Sequence, residues 1–308
     1  MNDPVEHRFL YPPEKGLISA CIVTRNAQES LQCYLDSLLM SVGGTSNLEI
    51  IVVDNESTDG TEQMLKENFP KATYVYKSPG IGITKGINTA IESARGEFIL
   101  IATPSTEIIG DAIPNLRAYL LKHEQAGVVG PKVLNPDGST QFSSKKMPDP
   151  KVALRHTLYL FGLIRADEML NKYFLYNYDL DEPLEVTSLT MSLMLARRAV
   201  FEEVGFLDND LFVWASDVDW CYKVEKSRWK QYFLPNVKVY HRRNSVSKKQ
   251  PYANLLHYHR DLRTFYKKHF AERNSWVFNL IWELLLQMRL LLQVIRYLIM
   301  KNDDYSYY

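Results

Sequence analysis

Short apolar runs alternate with amphipathic segments over the first hundred residues of this chain. Leu17–Val23 and Leu48–Val53 are rich in β-forming side chains, and Glu29–Met40 between them has helical periodicity. The same alternation predicts four further elements: a helix over Thr58–Asn68, a strand over Ala72–Tyr76, a helix over Ile83–Ala94 and a strand over Glu97–Ala102. This order is typical of an α/β fold with a mixed, mainly parallel sheet flanked by helices.

Polar residues follow three of these predicted strands, over 24–26, 54–60 and 103–107. In parallel sheets, ligands bind beyond the carboxyl ends of the strands. The three loops therefore predict a cleft of nucleotide size at one edge of the sheet.

The pattern becomes less regular from Gly127 onward, where proline and glycine break the chain into short segments. Glu185–Ala196 is interpreted as one buried strand, Arg197–Val204 as a short helix, and Asp217–Lys226 as a helix that opens with acidic residues. We expect this second half to form the other side of the cleft.

Composition excludes several classes of protein. The 308 residues contain 36 Lys and Arg against 36 Asp and Glu, so net charge gives no support to nucleic-acid binding. Cys21, Cys33 and Cys221 lack the spacing of zinc or redox motifs, which predicts reduced thiols in a cytosolic compartment. The polar residues 1–16 do not have the pattern of a secretory signal, so we expect the protein to remain inside the cell.

The most specific motif is the run from Ile50 to Thr61, IIVVDNESTDGT. Asp54 at the strand end can accept hydrogen bonds from a base or a ribose, while Ser57, Thr58 and Asp59 can cap the next helix. The alternative is an ordinary strand-turn-helix junction with a good N-cap, which explains Ser57 or Asp59 but not Asp54.

This run resembles glycosyltransferase family 2, whose nucleotide-binding strand ends in a similar acidic and Ser/Thr-rich motif. The resemblance covers about residues 17–245 and includes Ile22–Asn26 and Gly82–Ala90. It implies a GT-A fold and an inverting transfer from a nucleoside diphosphate sugar. It also implies that the donor nucleotide contacts a set of residues on the first half of the chain: Thr24, Asn26, Asp54, Lys85, Asn88 and Ser105.

The chain departs from the family where an aspartate-based metal motif is usual. Thr103–Glu107 reads TPSTE, so Ser105 occupies the position of the expected aspartate. The family implies Mg²⁺ or Mn²⁺ as a cofactor, but a neutral hydroxyl is a poor ligand for a hard divalent cation. Glu107 is the remaining candidate ligand, and its alternative interpretation is an exposed loop acid.

A second family signature spans Gly205–Asp208 and Ala215–Cys221. By the resemblance, Asp217 occupies the position of the general base, which would take the proton of the acceptor hydroxyl. The alternative is an acid that stabilises a helix N-terminus. Asp219 is interpreted as structural or acceptor-binding, and Ser216 replaces a glutamate that relatives carry.

A third cluster contains His241, Arg242 and Arg243, where relatives have a histidine followed by small residues. Cationic side chains can neutralise a departing diphosphate when a metal does not. We therefore assign the three residues to the diphosphate or acceptor side. The alternative is a solvated basic turn that faces anionic lipid.

The tail from Trp276 to Met300 is apolar but carries polar residues on about half of the helical circumference. Such a stripe argues against a bilayer-spanning helix unless it faces partners. An interfacial helix with Arg289 and Arg296 near headgroups fits better, and packing against a partner or the same domain is the alternative.

These observations predict an extension (1–16), a GT-A domain (17–270, divided at 126/127 into donor and acceptor parts) and an amphipathic tail (271–308). The function predicted is transfer from a UDP- or dTDP-linked sugar to a glycan or lipid-linked acceptor in cell-surface polysaccharide synthesis. The layout most resembles the rhamnosyltransferase-like members of the family. The predicted location is the inner face of the plasma membrane, and oligomerisation is left open. The alternative function is a degenerate, non-catalytic nucleotide- or glycan-binding subunit at the membrane.

Overall fold

A computed structural model describes residues 7–44, 47–76, 81–141, 144–145, 151–152, 155, 165, 182–211, 215–242 and 251–299 of the chain. The chain divides into two compact units. The first comprises residues 1–145, 179–209 and 217–243, and the second comprises 146–178, 210–216 and 244–308. The boundary predicted at residue 271 falls inside the second unit.

The first half of the first unit is a regular alternation of strands and helices. Its elements are β1 (Glu14–Thr24), α1 (Gln28–Val42), β2 (Leu48–Asp54), α2 (Thr61–Asn68), β3 (Thr73–Tyr76), α3 (Gly82–Glu92), β4 (Gly96–Ala102), β5 (Thr106–Ile108) and α4 (Ala112–Lys122). The later elements are β6 (Ala126–Leu134), β7 (Thr140–Gln141), β8 (Ser144–Lys145), β9 (Leu184–Val186), β10 (Ser188–Leu189), β11 (Leu193–Arg197), α5 (Arg198–Val204), α6 (Ser216–Glu225) and β12 (Lys230–His241).

One mixed sheet organises this unit, with strand order β3-β2-β1-β4-β11-β6-β12-β5. Strands β3, β2, β1 and β4 are parallel, whereas β11 is antiparallel to β4 and β5 is antiparallel to β12. The central strands β1, β2 and β4 are buried along most of their length, as expected of strands covered on both faces. The predicted fold class is therefore confirmed.

Two sequence-predicted elements differ from the structure. The run Glu185–Ala196 is not one strand but three short ones, β9, β10 and β11, because β10 pairs with β8 in a separate two-stranded sheet. Helix α2 begins at Thr61 rather than Thr58, behind Gly60 with a φ of 86°. Glycine adopts this left-handed conformation without strain, so the loop after β2 extends three residues further than predicted.

The described part of the predicted N-terminal extension packs against the first unit. His7 contacts the Glu92 carboxylate at 2.6 Å, and the Leu10 amide donates to the Glu92 carbonyl oxygen at 2.8 Å. The Arg198 guanidinium lies 3.6 Å from the centre of the Phe9 ring and donates to the Tyr11 carbonyl oxygen. Residues 7–13 therefore form part of this unit.

The second unit contains a helical hairpin of α7 (Pro251–His269) and α8 (Trp276–Ile299), joined by a 3₁₀ turn over Ala271–Arg273. By length and composition alone, Trp276–Ile295 could cross a membrane. The helix predicted for the tail is thus present, and α7 packs along it.

Candidate active site

Hydrogen bonds from side chains link the loops after β1 and β2. The Asn26 amide oxygen accepts the Thr58 backbone N–H at 2.7 Å, and the Ser57 hydroxyl oxygen accepts the Asn26 backbone N–H at 2.9 Å. Asn26 and Glu56 both have positive φ values, of 47° and 65°. The short polar side chain of Asn26 tolerates this conformation better than most. The Asn26 side chain, predicted to contact the donor, therefore also holds the two loops in register.

Asp54 ends β2 and is almost fully buried. One carboxylate oxygen accepts the Ser57 amide at 2.8 Å, and the other accepts the Tyr74 hydroxyl of β3 at 2.9 Å. Carboxylate oxygens have more than one lone pair, so these bonds orient the group without using all of its accepting capacity. Asp54 is consequently held rigidly at the carboxyl end of the sheet.

Asp59 stands between the first residues of two helices. Its oxygens accept the Gln28 amide at the start of α1 at 3.0 Å and the Thr61 hydroxyl at the start of α2 at 2.6 Å. Partial burial raises the pKa of this carboxyl, but the hydrogen bonds from Thr61 and Gln28 outweigh burial, and the net shift is downward. Asp59 therefore stabilises the loop in its ionised form.

Two polar oxygens at this edge have no hydrogen-bond partner among the described residues. They are the Thr24 hydroxyl and the Asn55 side-chain carbonyl, in residues that are 1% and 7% exposed. Buried polar atoms without partners are uncommon in folded proteins and need an explanation, such as a bound ligand or water. Thr24 was predicted from the sequence, whereas Asn55 was missed because the motif offers no sign that its oxygen is unpaired.

Helix α3 lies close against the end of β1. A methyl group added at Gly86 would meet a Val23 side-chain carbon at 2.9 Å, so glycine is required for this approach. The packing brings Lys85, which is exposed in the first turn of α3, near the carboxyl end of β1.

Asn88, two turns into α3, is fully buried. Its amide nitrogen donates to the Leu207 carbonyl oxygen at 2.8 Å, and its oxygen accepts the Leu207 backbone N–H at 3.1 Å. A further bond of 3.0 Å joins it to Asn209. The donor contact predicted for Asn88 remains a prediction, while its described bonds tie α3 to the loop over 207–209.

Arg242 lies directly beside the loop that replaces the metal motif. Its backbone N–H donates to the Ser105 carbonyl oxygen at 3.0 Å, which extends the pairing of β5 with β12. Its guanidinium approaches the Glu107 carboxylate at 3.5 Å, a long contact between two largely exposed groups. The Ser105 hydroxyl lies 3.3 Å from the Thr103 hydroxyl.

The described side chains do not fit a divalent metal at this loop. Ser105 offers a hydroxyl that is already bonded to Thr103, and the carboxylate of Glu107, two residues further on, faces the cation of Arg242. Among the residues that the structure describes, no group of three or more His, Cys, Asp or Glu could hold a metal ion. A divalent cation at a diphosphate is usually anchored by one or two protein carboxylates, with phosphate oxygens and water completing its shell, and Glu107 is paired with Arg242, so this donor set fits such a cation poorly.

A chain of contacts joins helix α6 to the same loop. Ser192, just before β11, accepts the Thr103 backbone N–H at 3.2 Å and the Thr106 hydroxyl at 2.6 Å. Three residues earlier, Leu189 accepts a long bond of 3.6 Å from the Cys221 thiol. Asp217 precedes Cys221 by four residues on the same helix face. Burial raises the pKa of the Cys221 thiol, and the nearby Asp217 carboxylate adds to the increase.

Asp217 and Asp219 have different surroundings. Asp217 is partly exposed in the first turn of α6 and accepts the Val218 backbone N–H at 2.8 Å, whereas Asp219 is fully buried. Only a partly exposed carboxylate can reach an acceptor hydroxyl, so Asp217 suits a general base better than Asp219 does.

His241 ends β12 and pairs with Gln141 of β7. The two side chains lie 3.1 Å apart, and the Gln141 amide donates to the His241 carbonyl oxygen at 2.7 Å. His241 and Arg242 therefore follow one another at the end of a strand next to Thr106 and Ser105. Arg243, the third member of the predicted cluster, lies outside the described residues.

Comparison with solved structures defines the class of fold. The mannosyltransferase PcManGT from Pyrobaculum calidifontis, in complex with GDP-Man and Mn²⁺, matches 86% of this chain and 66% of its own, with a TM-score of 0.54 and 18% identity. TarS residues 1–349 from S. aureus match 84% of this chain and 73% of their own, with a TM-score of 0.50 and 17% identity. The fold is that of a GT-A glycosyltransferase.

Sequence comparison defines the family. Residues 19–205, more than half of the chain, match Glycosyl transferase family 2, and the chain belongs to that family. A curated relative from Mycobacterium tuberculosis, N-acetylglucosaminyl-diphospho-decaprenol L-rhamnosyltransferase, is 26% identical over 85% of this chain and 87% of its own length. The abequosyltransferase RfbV of Salmonella typhimurium is 32% identical over 34% of this chain and 32% of its own.

Proposed function

We propose that this protein is an inverting glycosyltransferase that moves a sugar from a UDP- or dTDP-linked donor to a glycan or lipid-linked acceptor in cell-surface polysaccharide synthesis. The observation that supports the donor site is a pair of buried oxygens, of Thr24 and Asn55, beside the fixed carboxylate of Asp54. Neither oxygen has a hydrogen-bond partner within the part of the chain that the structure describes. Together they offer hydrogen-bond acceptors, and a hydroxyl donor, at the sheet edge where nucleotides bind in α/β folds.

The proposed chemistry is a direct displacement. The Asp217 carboxylate takes the proton of the acceptor hydroxyl while that oxygen attacks the anomeric carbon of the sugar. The bond from that carbon to the diphosphate oxygen breaks, and the nucleoside diphosphate leaves with the electron pair. The contacts from α6 through Leu189 and Ser192 to Thr103 support a position for Asp217 near the diphosphate.

Charge on the departing diphosphate needs neutralisation. Since the donor set at Ser105 and Glu107 does not fit a divalent metal, we infer that His241, Arg242 and Arg243 supply the positive charge. An arginine can donate two parallel hydrogen bonds to a phosphate, which suits it to this role. Lys85, exposed in the first turn of α3, would add a further cation.

A lipid-linked acceptor is proposed from two observations. The relative from M. tuberculosis carries a decaprenol-linked diphosphate sugar in its name, and the match covers most of both chains. In addition, this chain has an apolar helix, α8, at the end of its described residues. The proposed location is the inner face of the plasma membrane. Neither the family match nor these relatives favours the non-catalytic alternative.

Calorimetric titration with UDP, dTDP and GDP, each with Mn²⁺ and again with EDTA, tests the donor site. We expect UDP or dTDP to bind equally well under both conditions. Binding that requires Mn²⁺ would assign Glu107 or another acid as a ligand and contradict the arginine proposal. Absence of binding by all three nucleotides would contradict the donor site itself.

Transfer is tested with Asp217→Asn against a matched control, Asp36→Asn, at an exposed position of α1. We expect Asp217→Asn to keep nucleotide affinity and to lower the transfer rate by about 10²-fold or more, the scale of a general base. The control should transfer at the unmodified rate. An unchanged rate for Asp217→Asn would remove it from the mechanism.

A further inference from the structure

Helix α8 turns its polar side chains toward α7. Arg263 of α7 donates to both carboxylate oxygens of Glu283, at 3.0 and 2.6 Å. His259 bonds the Gln293 side chain at 2.7 Å, and the Tyr266 hydroxyl donates to Asn279 at 2.5 Å. These pairs extend over about two turns of α7 and about four turns of α8. The polar half of α8, for which the sequence suggests contact with headgroups, is therefore occupied by the neighbouring helix.

Arg289 and Trp282 follow the same pattern. Arg289 lies toward Tyr258 of α7, and the Trp282 ring stacks on Tyr266 with centroids 4.8 Å apart. Arg289, for which the sequence suggests a position near headgroups, and Trp282 therefore both belong to the interface of the hairpin. The side chains of Arg296 and Tyr297 are outside the described set.

The opposite half of α8 is exposed and almost entirely apolar. Its members are Trp276, Val277, Leu280, Ile281, Leu284, Met288, Leu291, Leu292, Ile295 and Leu298, and we call them the outer face. Trp276 is 76% exposed and Leu284 60%. Gln287 is the polar residue at its edge. A hairpin with polar contacts inside and apolar side chains outside is inverted relative to one that faces water.

The width of the outer face indicates what covers it. At about 100° per residue the exposed positions span roughly 160° of the helix, whereas the seam between two coiled helices is a narrower stripe. One helix of a second copy would leave much of the face uncovered. A bilayer surface covers a wide apolar face along its whole length.

The positive charge near the start of the outer face also favours a bilayer surface. Lys267 and Lys268 in the last turn of α7 and Arg273 in the 3₁₀ turn are all exposed, and Trp276 follows three residues after Arg273. Residues 251–299 carry seven Lys or Arg against three Asp or Glu. Basic residues near a tryptophan and an apolar face match the headgroup boundary of an anionic membrane.

We propose that the outer face of α8 is a membrane-docking surface that lies in the plane of an anionic bilayer. A transmembrane orientation of α8 is disfavoured because α7 packs along it. Such an orientation would carry Arg260, Asp261 and Lys267 of α7 into the hydrocarbon of the bilayer. The docking surface is consistent with a lipid-linked acceptor, but it rests on the hairpin alone. Vesicle binding needs neither donor nor acceptor, so docking and glycosyl transfer can fail independently.

The test is co-sedimentation of the full chain with vesicles of neutral phospholipid, alone or with about 30% anionic phospholipid. We expect binding to the anionic vesicles that weakens with salt, and a blue shift of tryptophan fluorescence that is largely lost in Trp276→Phe. Leu284→Glu with Leu291→Glu should lower partitioning by tenfold or more. The matched control, Met40→Glu with Leu121→Glu, places the same charges on exposed apolar positions of the first unit and should bind normally.

Lys267→Gln with Lys268→Gln should lower binding to anionic vesicles by about tenfold, with little effect on neutral ones. Equal loss in the Met40/Leu121 control and the α8 variant would show that docking does not use the outer face. Light scattering without vesicles completes the test. A dimer that Leu284→Glu with Leu291→Glu converts to a monomer, together with no vesicle binding, would overturn the proposal in favour of a second copy.

Discussion

The backbone N–H of Arg242 donates to the carbonyl oxygen of Ser105 across 3.0 Å. The bond places a permanent cation at the end of β12, directly beside the position where the family usually carries a metal-binding aspartate. Arg242 has a largely exposed side chain, so its guanidinium can reach a ligand in the cleft.

Replacement of Arg242 tests this relationship. Arg242→Gln keeps the backbone bond but removes the charge, and we expect it to weaken binding of UDP or dTDP by about tenfold, the lower end for a charged hydrogen bond. Lys238→Gln, at an exposed position on the same strand, is the matched control and should bind normally. Calorimetry gives both affinities. Equal affinities in the two variants would assign Arg242 to the solvated turn.

Thr24→Val separates ligand binding from stability. The Thr24 hydroxyl is buried without a partner in the described structure, so its replacement by an isosteric methyl should leave the free energy of unfolding unchanged or raise it by about 1 kcal/mol. Affinity for the nucleotide should fall about fivefold, because one hydrogen bond to the ligand is lost. Urea unfolding and calorimetry measure the two effects. A destabilised variant with normal affinity would mean that the hydroxyl serves the fold.

Asn88→Ala distinguishes a structural role from a donor contact. The change leaves the N–H and C=O of Leu207 without their partner, and we expect a loss of about 2–4 kcal/mol in the free energy of unfolding. Nucleotide affinity should change little at a temperature where the variant is folded. A tenfold loss of affinity with unaltered stability would instead support the donor contact that the family resemblance implies.

His259 makes the hairpin sensitive to acid. Burial, together with the charges of Arg289 and Arg263, lowers its pKa to about 4, and the hydrogen bond to Gln293 opposes the shift only in part. The pKa is lower in the folded state than in the unfolded chain, so the stabilisation is complete above about pH 6.5 and is lost as pH falls toward 4.

The expected effect is a decrease of up to about 2 kcal/mol in hairpin stability between pH 8 and pH 5. Amide hydrogen exchange of α7 and α8, followed by mass spectrometry at both pH values, measures it. His259→Gln removes the titration and should flatten the pH dependence specific to these helices. A slope that persists in this variant would assign the sensitivity to other groups.

The central strands β1, β2 and β4 were predictable because they are largely apolar runs between amphipathic helices. Leu48–Val53 is such a run, and β2 covers it with one added residue, Asp54. The region over 185–196 was predicted wrongly because it contains no glycine or proline to mark a break, while its backbone changes partners twice, from β12 to β8 to β4. Pairing partners are not encoded in local hydrophobicity.

The candidate site was predictable only where it depends on the ends of the predicted strands. Strand ends fix the position of Thr24 and Asp54, so motif and topology together indicate them. Asn55 was missed because an unpaired oxygen depends on distant neighbours. In α8, periodicity separates a polar half from an apolar half, but only the pairing with α7 shows which half is already occupied.

The bonds that join Asn26 to Ser57 and Thr58 have a consequence for the energetics of nucleotide binding. The two loops are ordered before any nucleotide arrives, so the conformational entropy of arranging them is lost during folding rather than during association. Binding at this edge then resembles rigid docking, in which differences in affinity among nucleotides appear mainly in how slowly each one dissociates.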